Sequence, residues 1–174
     1  MNHPDSSACG EMLAEPGIGS ARPGRGYLME VTTSRFGTVH VPLGEAICFP
    51  SGLIGFEDCQ SWVLLAHRPN DSVIWLQSTQ VPEIALPVVD PRTFVPEFIL
   101  QVEQTDWTPL GKREEDSLQV LVSVSRHDDS LRVNLRSPLV INLQRRLGRQ
   151  VINAEAWTTD HLVWESTDAM KKTA

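Results

Sequence analysis

Short runs of Val, Ile, Leu and Thr begin at Tyr27 and recur along the chain, cut by Gly, Pro, Asn or Asp about every eight to twelve residues. Within these runs apolar positions alternate with polar ones, which is the period of a strand that buries one face. The strands predicted in the first half are residues 28–33, 38–41, 46–49, 62–66, 73–77 and 84–89. After Leu110 the clearest hairpin joins 118–126 to 131–136 through His127-Asp128-Asp129-Ser130, whose short polar side chains suit a tight reversal. Residues 139–143 and 150–153 form a further predicted pair, with the basic stretch 144–149 as a solvated loop between them.

No window longer than about ten residues keeps a helical period, and Pro82, Pro87, Pro91, Pro96 and Pro109 interrupt the middle of the chain. One or two short helices are expected, near 57–61 and 96–107. Pro82 and Pro87 place the strand at 84–89 on an edge or at a bulge, because proline cannot donate to a ladder. The expected fold class is mainly β: a compact antiparallel β-barrel-like single domain over residues 27–165. Residues 1–26 hold five Gly and three Pro and no periodic apolar face, so they are expected to be a disordered tail, as are 166–174 at the other end.

A chain of 174 residues is long enough to bury a core without a staple. Asp5 and Glu11 fall where a secretion signal would be apolar, and no run approaches the length of a membrane span. A cytoplasmic protein is expected, with Cys9, Cys48 and Cys59 read as reduced thiols. The net charge is -7, unevenly placed: residues 27–110 carry three Arg against ten Asp and Glu. That balance opposes direct nucleic-acid binding, which needs a cationic surplus, and it suits either a solvated surface or a basic protein partner.

Catalytic patterns are missing from the sequence. There is no G-x-S-x-G, no HExxH and no phosphate-loop lysine, and the His residues at 3, 40, 67, 127 and 161 stand apart. His127-Asp128-Asp129 is explained by its turn, and Glu57-Asp58 and Glu114-Glu115-Asp116 by solvation, so no metal, cofactor or enzymatic activity is expected. Trp62 and Trp75 lie in apolar runs and are predicted to be core. Trp107, Trp157 and Trp164 have polar neighbours and are candidate interface anchors.

The most distinctive stretch is Phe49-Pro50-Ser51-Gly52-Leu53-Ile54-Gly55-Phe56-Glu57, which resembles the F-P-x-G-x-x-G-F-E signature of the FliW family of flagellar assembly factors. Thr33-Ser34-Arg35-Phe36-Gly37 is similar to that family's T-x-R-F-G turn. Trp75-Leu76-Gln77-Ser78 resembles its L-Q-S segment, and Asp90-Pro91 with Phe94-Val95-Pro96 its D-P-x-x-F-x-P region. Asn134-Leu135-Arg136-Ser137-Pro138-Leu139-Val140-Ile141-Asn142 and then Gln150-Val151-Ile152 follow in the family's order. Phe98 stands where the family usually has Tyr, which keeps the ring and removes a hydroxyl.

The resemblance implies a protein that binds the translational regulator CsrA, with flagellin as the competing partner, so that accumulating flagellin decides how much CsrA is free to repress flagellin synthesis. A monomer is expected when no partner is bound. The alternative is an RNA-binding β-barrel using Arg132, Arg136, Arg145, Arg146 and Arg149. Candidate partner-binding residues are Gly52, Gly55, Phe56, Phe98 and Asn142. The glycines serve a structural turn equally well, Asn142 is either a contact or a satisfied buried amide, and Phe56 is either an exposed anchor or, the favoured reading, a plug for the barrel.

Overall fold

The computed structural model describes residues 27–68 and 71–165; the two predicted tails lie outside them. The strands are β1 (Leu28–Thr33), β2 (Gly37–Pro42), β3 (Ile47–Cys48), β4 (Ser61–Leu65), β5 (Ile74–Ser78) and β6 (Ala85–Val89). They continue with β7 (Leu118–His127), β8 (Ser130–Val133), β9 (Leu139–Asn142), β10 (Leu147–Gln150) and β11 (His161–Glu165). One helical turn, α1 (Gln104–Trp107), runs into a 3-10 turn at Thr108–Leu110 that Gly111 ends at φ 55°. Further 3-10 turns occupy Leu43–Glu45 and Pro91–Thr93.

β3, β4, β5, β6, β7, β9 and β10 pair in that order, and β10 returns to β3, so the sheet closes into a ring. Closure gives every strand of the ring a neighbour on both sides, which limits the exposed edges that invite aggregation. All neighbours in it are antiparallel except β3 and β10, which are parallel. The long strand β7 makes closure possible: β8 covers the C-terminal part of one edge and β9 the N-terminal part, while β6 takes the other edge at Val122 and Ser123. β11 extends the sheet beyond β8, and β1 and β2 form a separate hairpin.

The core follows from strand alternation. Ile47, Trp62, Leu76, Val88, Leu121 and Ile141, one from each of six ring strands, share a cluster with Phe49 and Leu139 and fill the ring. Their chain neighbours Val89 and Val122 pack outward against Phe98, Val133 and Leu135, and Val140 packs outward against Leu110 and Val151. β9 is therefore buried on both faces, which is why its sequence is apolar at both parities.

Several expectations need correction. Strand 84–89 is not an edge: β6 lies between β5 and β7, but its β7 ladder covers only Val88 and Val89. Pro87 sits just outside that ladder, so its missing N–H leaves no vacancy. No helix forms at 57–61, because Phe56 N–H donates to Leu53 O at 2.8 Å, closing a tight reversal, and β4 starts at Ser61. The predicted basic loop is half strand: Asn142 Oδ1 accepts from Gln144 N and Arg145 N, Arg146 takes φ 53°, and β10 begins at Leu147 rather than 150. β8 stops at Val133 because Asn134 Oδ1 accepts from Arg136 N and Ser137 N. The turn between β7 and β8 falls where predicted, with Asp128 at φ 49°. β11 lacks strand alternation and was not anticipated. Cys59 is a buried free thiol, whereas Cys48 is not free, which corrects the expectation of reduced thiols at that position.

Candidate functional site

The signature stretch 49–57 is anchored at both ends and exposed in its middle. Phe49 is fully buried, its ring meeting Trp62 edge-on at 6.5 Å. Gly52 N–H donates to Phe49 O at 2.8 Å, and the φ of +64° at Gly52 brings the chain so close to Glu57 that a Cβ would lie 2.5 Å from its backbone. Only glycine fits there. Gly55, at φ +85°, has open space around it and is required by conformation alone.

Between the glycines, Leu53 turns inward and Ile54 outward, at 63% exposure. The Ile54 N–H is held by Gln150 Oε1 at 2.9 Å, ninety-six positions away, while Gln150 Nε2 donates to Ser137 O at 3.2 Å. One amide from β10 therefore ties the signature loop to the turn before β9. Glu57 Oε1 accepts from Gly55 N–H at 2.9 Å; this bond first, and its own N–H second, hold the Glu57 carboxyl below its ordinary range. The loop flanks two hollows that meet at Ile54. One of about 160 Å³ is bounded by Pro50, Glu57, Pro109 and Arg149, and one of about 240 Å³ by Phe56, Leu86, Ser123 and Asn134. Three separate stretches singled out in the sequence, 49–57, 134–142 and 150–152, thus converge on one end of the ring.

Phe56 is half-buried, packs against the ring core and meets Trp62 edge-on at 6.5 Å. Phe56→Ala is expected to lower stability by about 2 kcal/mol, below the roughly 3 to 5 kcal/mol of a fully buried ring, because part of its surface is already wet. Urea melts of the two proteins measure this directly.

The other candidates lie inside. Phe98 is 3% exposed and stacks on Trp157 at 5.5 Å, so it presents no surface in this conformation. Asn142 is fully buried and fully bonded: Nδ2 donates to Leu110 O at 3.1 Å and to Asp116 Oδ2 at 2.7 Å, while Oδ1 accepts the two turn amides. Asp116 Oδ2 also takes Arg113 N–H at 2.9 Å and Arg145 Nε at 3.3 Å. The Arg113 amide first, then Asn142, hold the Asp116 pKa below its ordinary 3.8. A carboxyl whose folded pKa is depressed contributes stability that is present above its unfolded pKa and lost as pH falls through the folded one. Thermal melts should therefore show a smaller drop in Tm between pH 5 and pH 2 for Asp116→Asn than for the parent.

Of the tryptophans, Trp62 is core as predicted. Trp75 is not: it is half-buried beneath the β1–β2 turn, with the Arg35 guanidinium 3.7 Å above its ring and Phe36 against its edge. Trp107 carries Lys112 over its ring, Trp157 donates to Ile99 O at 3.1 Å, and Trp164 is 54% exposed. Sequence reasoning missed Ile54 and Gln150. Ile54 lies inside a Gly-bounded turn and Gln150 opens the Gln150-Val151-Ile152 match, but nothing local to either position signals their contact.

Five arginines after residue 130 are held by acceptors on the protein itself. Arg132, Arg145, Arg146 and Arg149 face Asp160, Asp116, Glu45 and Asp106 at 2.8 to 3.3 Å, and Arg136 donates to Glu155 O. Glu57, Asp58, Glu83, Glu97 and Glu103 belong to none of the ion pairs among the described residues. Among the described residues, no group of three or more His, Cys, Asp or Glu is placed to hold a metal ion, and no helix is long and apolar enough to cross a membrane.

A seven-stranded ring with a glycine-shaped loop clamped across one end defines the class, a small closed β-barrel carrying an ordered surface loop. Residues 30–163 match the model of the FliW protein family, and the chain belongs to that family. Similar proteins include the flagellar assembly factor FliW of Bdellovibrio bacteriovorus, 35% identical over 71% of this chain and 72% of that one. That of Geotalea uraniireducens is 33% identical over 80% and 87%. A crystal structure of the flagellar assembly factor FliW superposes with a TM-score of 0.74 at 24% identity, covering 80% of this chain and 99% of the other, and shares its fold.

Proposed function

We propose that this protein acts in flagellar assembly as a cytoplasmic, non-enzymatic binding protein that takes CsrA and flagellin in exchange. While flagellin is scarce the protein holds CsrA and keeps it from repressing flagellin translation; accumulating flagellin displaces CsrA. Exchange of this kind needs only that relative affinity and concentration decide occupancy.

The observation that carries the reading is the pairing of the surface charges. The five arginines open to an RNA-binding role are each held by a carboxylate or a carbonyl, while the acids at 57, 58, 83, 97 and 103 are left unpaired. Together with the surplus of ten Asp and Glu over three Arg in residues 27–110, such a surface attracts a basic protein and disfavours phosphate, which weighs against the RNA-binding alternative. The test is displacement: CsrA captured on the immobilised protein should be released by added flagellin in proportion to its concentration. Labelled RNA should not bind the protein alone at low salt. Retention of CsrA at saturating flagellin, or salt-sensitive RNA binding, would overturn the reading.

A further inference from the structure

We propose that Ile54, with the Glu57 carboxylate fixed in the same loop, forms a docking point for a partner segment that carries an apolar side chain next to Lys or Arg. This rests on the reading that the chain works by binding other proteins, and it specifies where and with what chemistry. Folding requires nothing apolar at position 54. The reversal uses only its N–H, which Gln150 accepts, and its side chain points to solvent at 63% exposure between two side-chain-sized hollows. An apolar crest held this firmly loses little conformational freedom when a partner covers it, which is how preorganised surfaces gain affinity.

The occupant follows from charge. The stretch 49–57 contains no Lys or Arg, and Arg149, the one cation lining the first hollow, is already neutralised by Asp106 at 3.1 Å. Glu57 is unpaired, Asp58 follows it, and the Gly55 N–H keeps the Glu57 carboxylate in one place. A cation beside an apolar anchor matches that set, and an acidic or purely apolar segment does not.

The experiment titrates the full chain against purified CsrA and purified flagellin by calorimetry, using Ile54→Ser, Glu57→Gln and, as a control outside the site, Glu115→Gln. Glu57→Gln keeps an oxygen for the Gly55 N–H and removes only the charge. Ile54→Ser should weaken at least one partner by about tenfold or more. Glu57→Gln should weaken the same partner by roughly three- to tenfold at low salt, with the difference closing near 1 M salt, where the screening length is about 3 Å. Glu115→Gln should match the parent, and all three should keep its Tm. Normal partner binding by both Ile54→Ser and Glu57→Gln would overturn the docking point while leaving the proposed function intact. A loss at Ile54→Ser without one at Glu57→Gln would overturn the cationic partner, and a parent that binds neither protein would remove the functional reading and this inference with it.

Discussion

Asn142→Leu is expected to destabilise the fold by about 3 kcal/mol. The leucine matches the volume and loses every bond. Asn142 Nδ2 serves Leu110 O and Asp116 Oδ2, and Oδ1 serves Gln144 N and Arg145 N, all from a fully buried position. Removing one side of a buried hydrogen bond costs about 1 to 3 kcal/mol, and here several groups lose their partner together. The two turn amides set the reversal into β10, so the ring seam is weakened as well. Urea unfolding gives the loss. A change under about 1 kcal/mol would show that the network relaxes onto water.

Gly148→Ala is expected to cost about 3 kcal/mol through steric conflict. A Cβ at Gly148 would lie 2.3 Å from Cζ of Phe49, and its three nearest atoms all belong to that ring. Phe49 cannot retreat, being fully buried with Trp62 against it. Overpacking in such a place usually costs about 1 to 3 kcal/mol, and a contact this short belongs at the upper end. The cause is separable by a double-mutant cycle: Phe49→Leu frees space, so the pair should destabilise by less than the sum of the single changes. Additive losses would mean that the alanine acts on the strand itself and not on the ring.

The hairpin of β7 and β8 was legible because alternation and turn chemistry are both local, and Asp128-Asp129 reverses the chain where the residue types indicate. Boundaries set by side-chain caps were not. Asn134 and Asn142 each read as ordinary polar residues near a strand, yet their carboxamide oxygens end β8 and start the turn to β10. The prolines at 82 and 87 misled for a related reason. Pro87 marks a place without a ladder bond, and whether that place is an outer edge or a gap between two inner strands depends on where β7 turns away.

At the candidate site the division is sharper. The glycines at 52 and 55 announce backbone that other residues resist, and the order of motifs along the chain was enough to identify the family, since both are properties of the sequence read in one direction. What the sequence determined by itself was the β class, the main hairpin, the acidic balance and the presence of a special turn at 52–55. The tertiary structure alone decided that Gln150 holds Ile54 outward, that Phe98 and Asn142 point inward, and that Arg132, Arg145, Arg146 and Arg149 are paired with carboxylates. Each of those depends on partners from twenty-eight to a hundred and one positions apart, and only the closing of the ring brings them within hydrogen-bonding or packing distance.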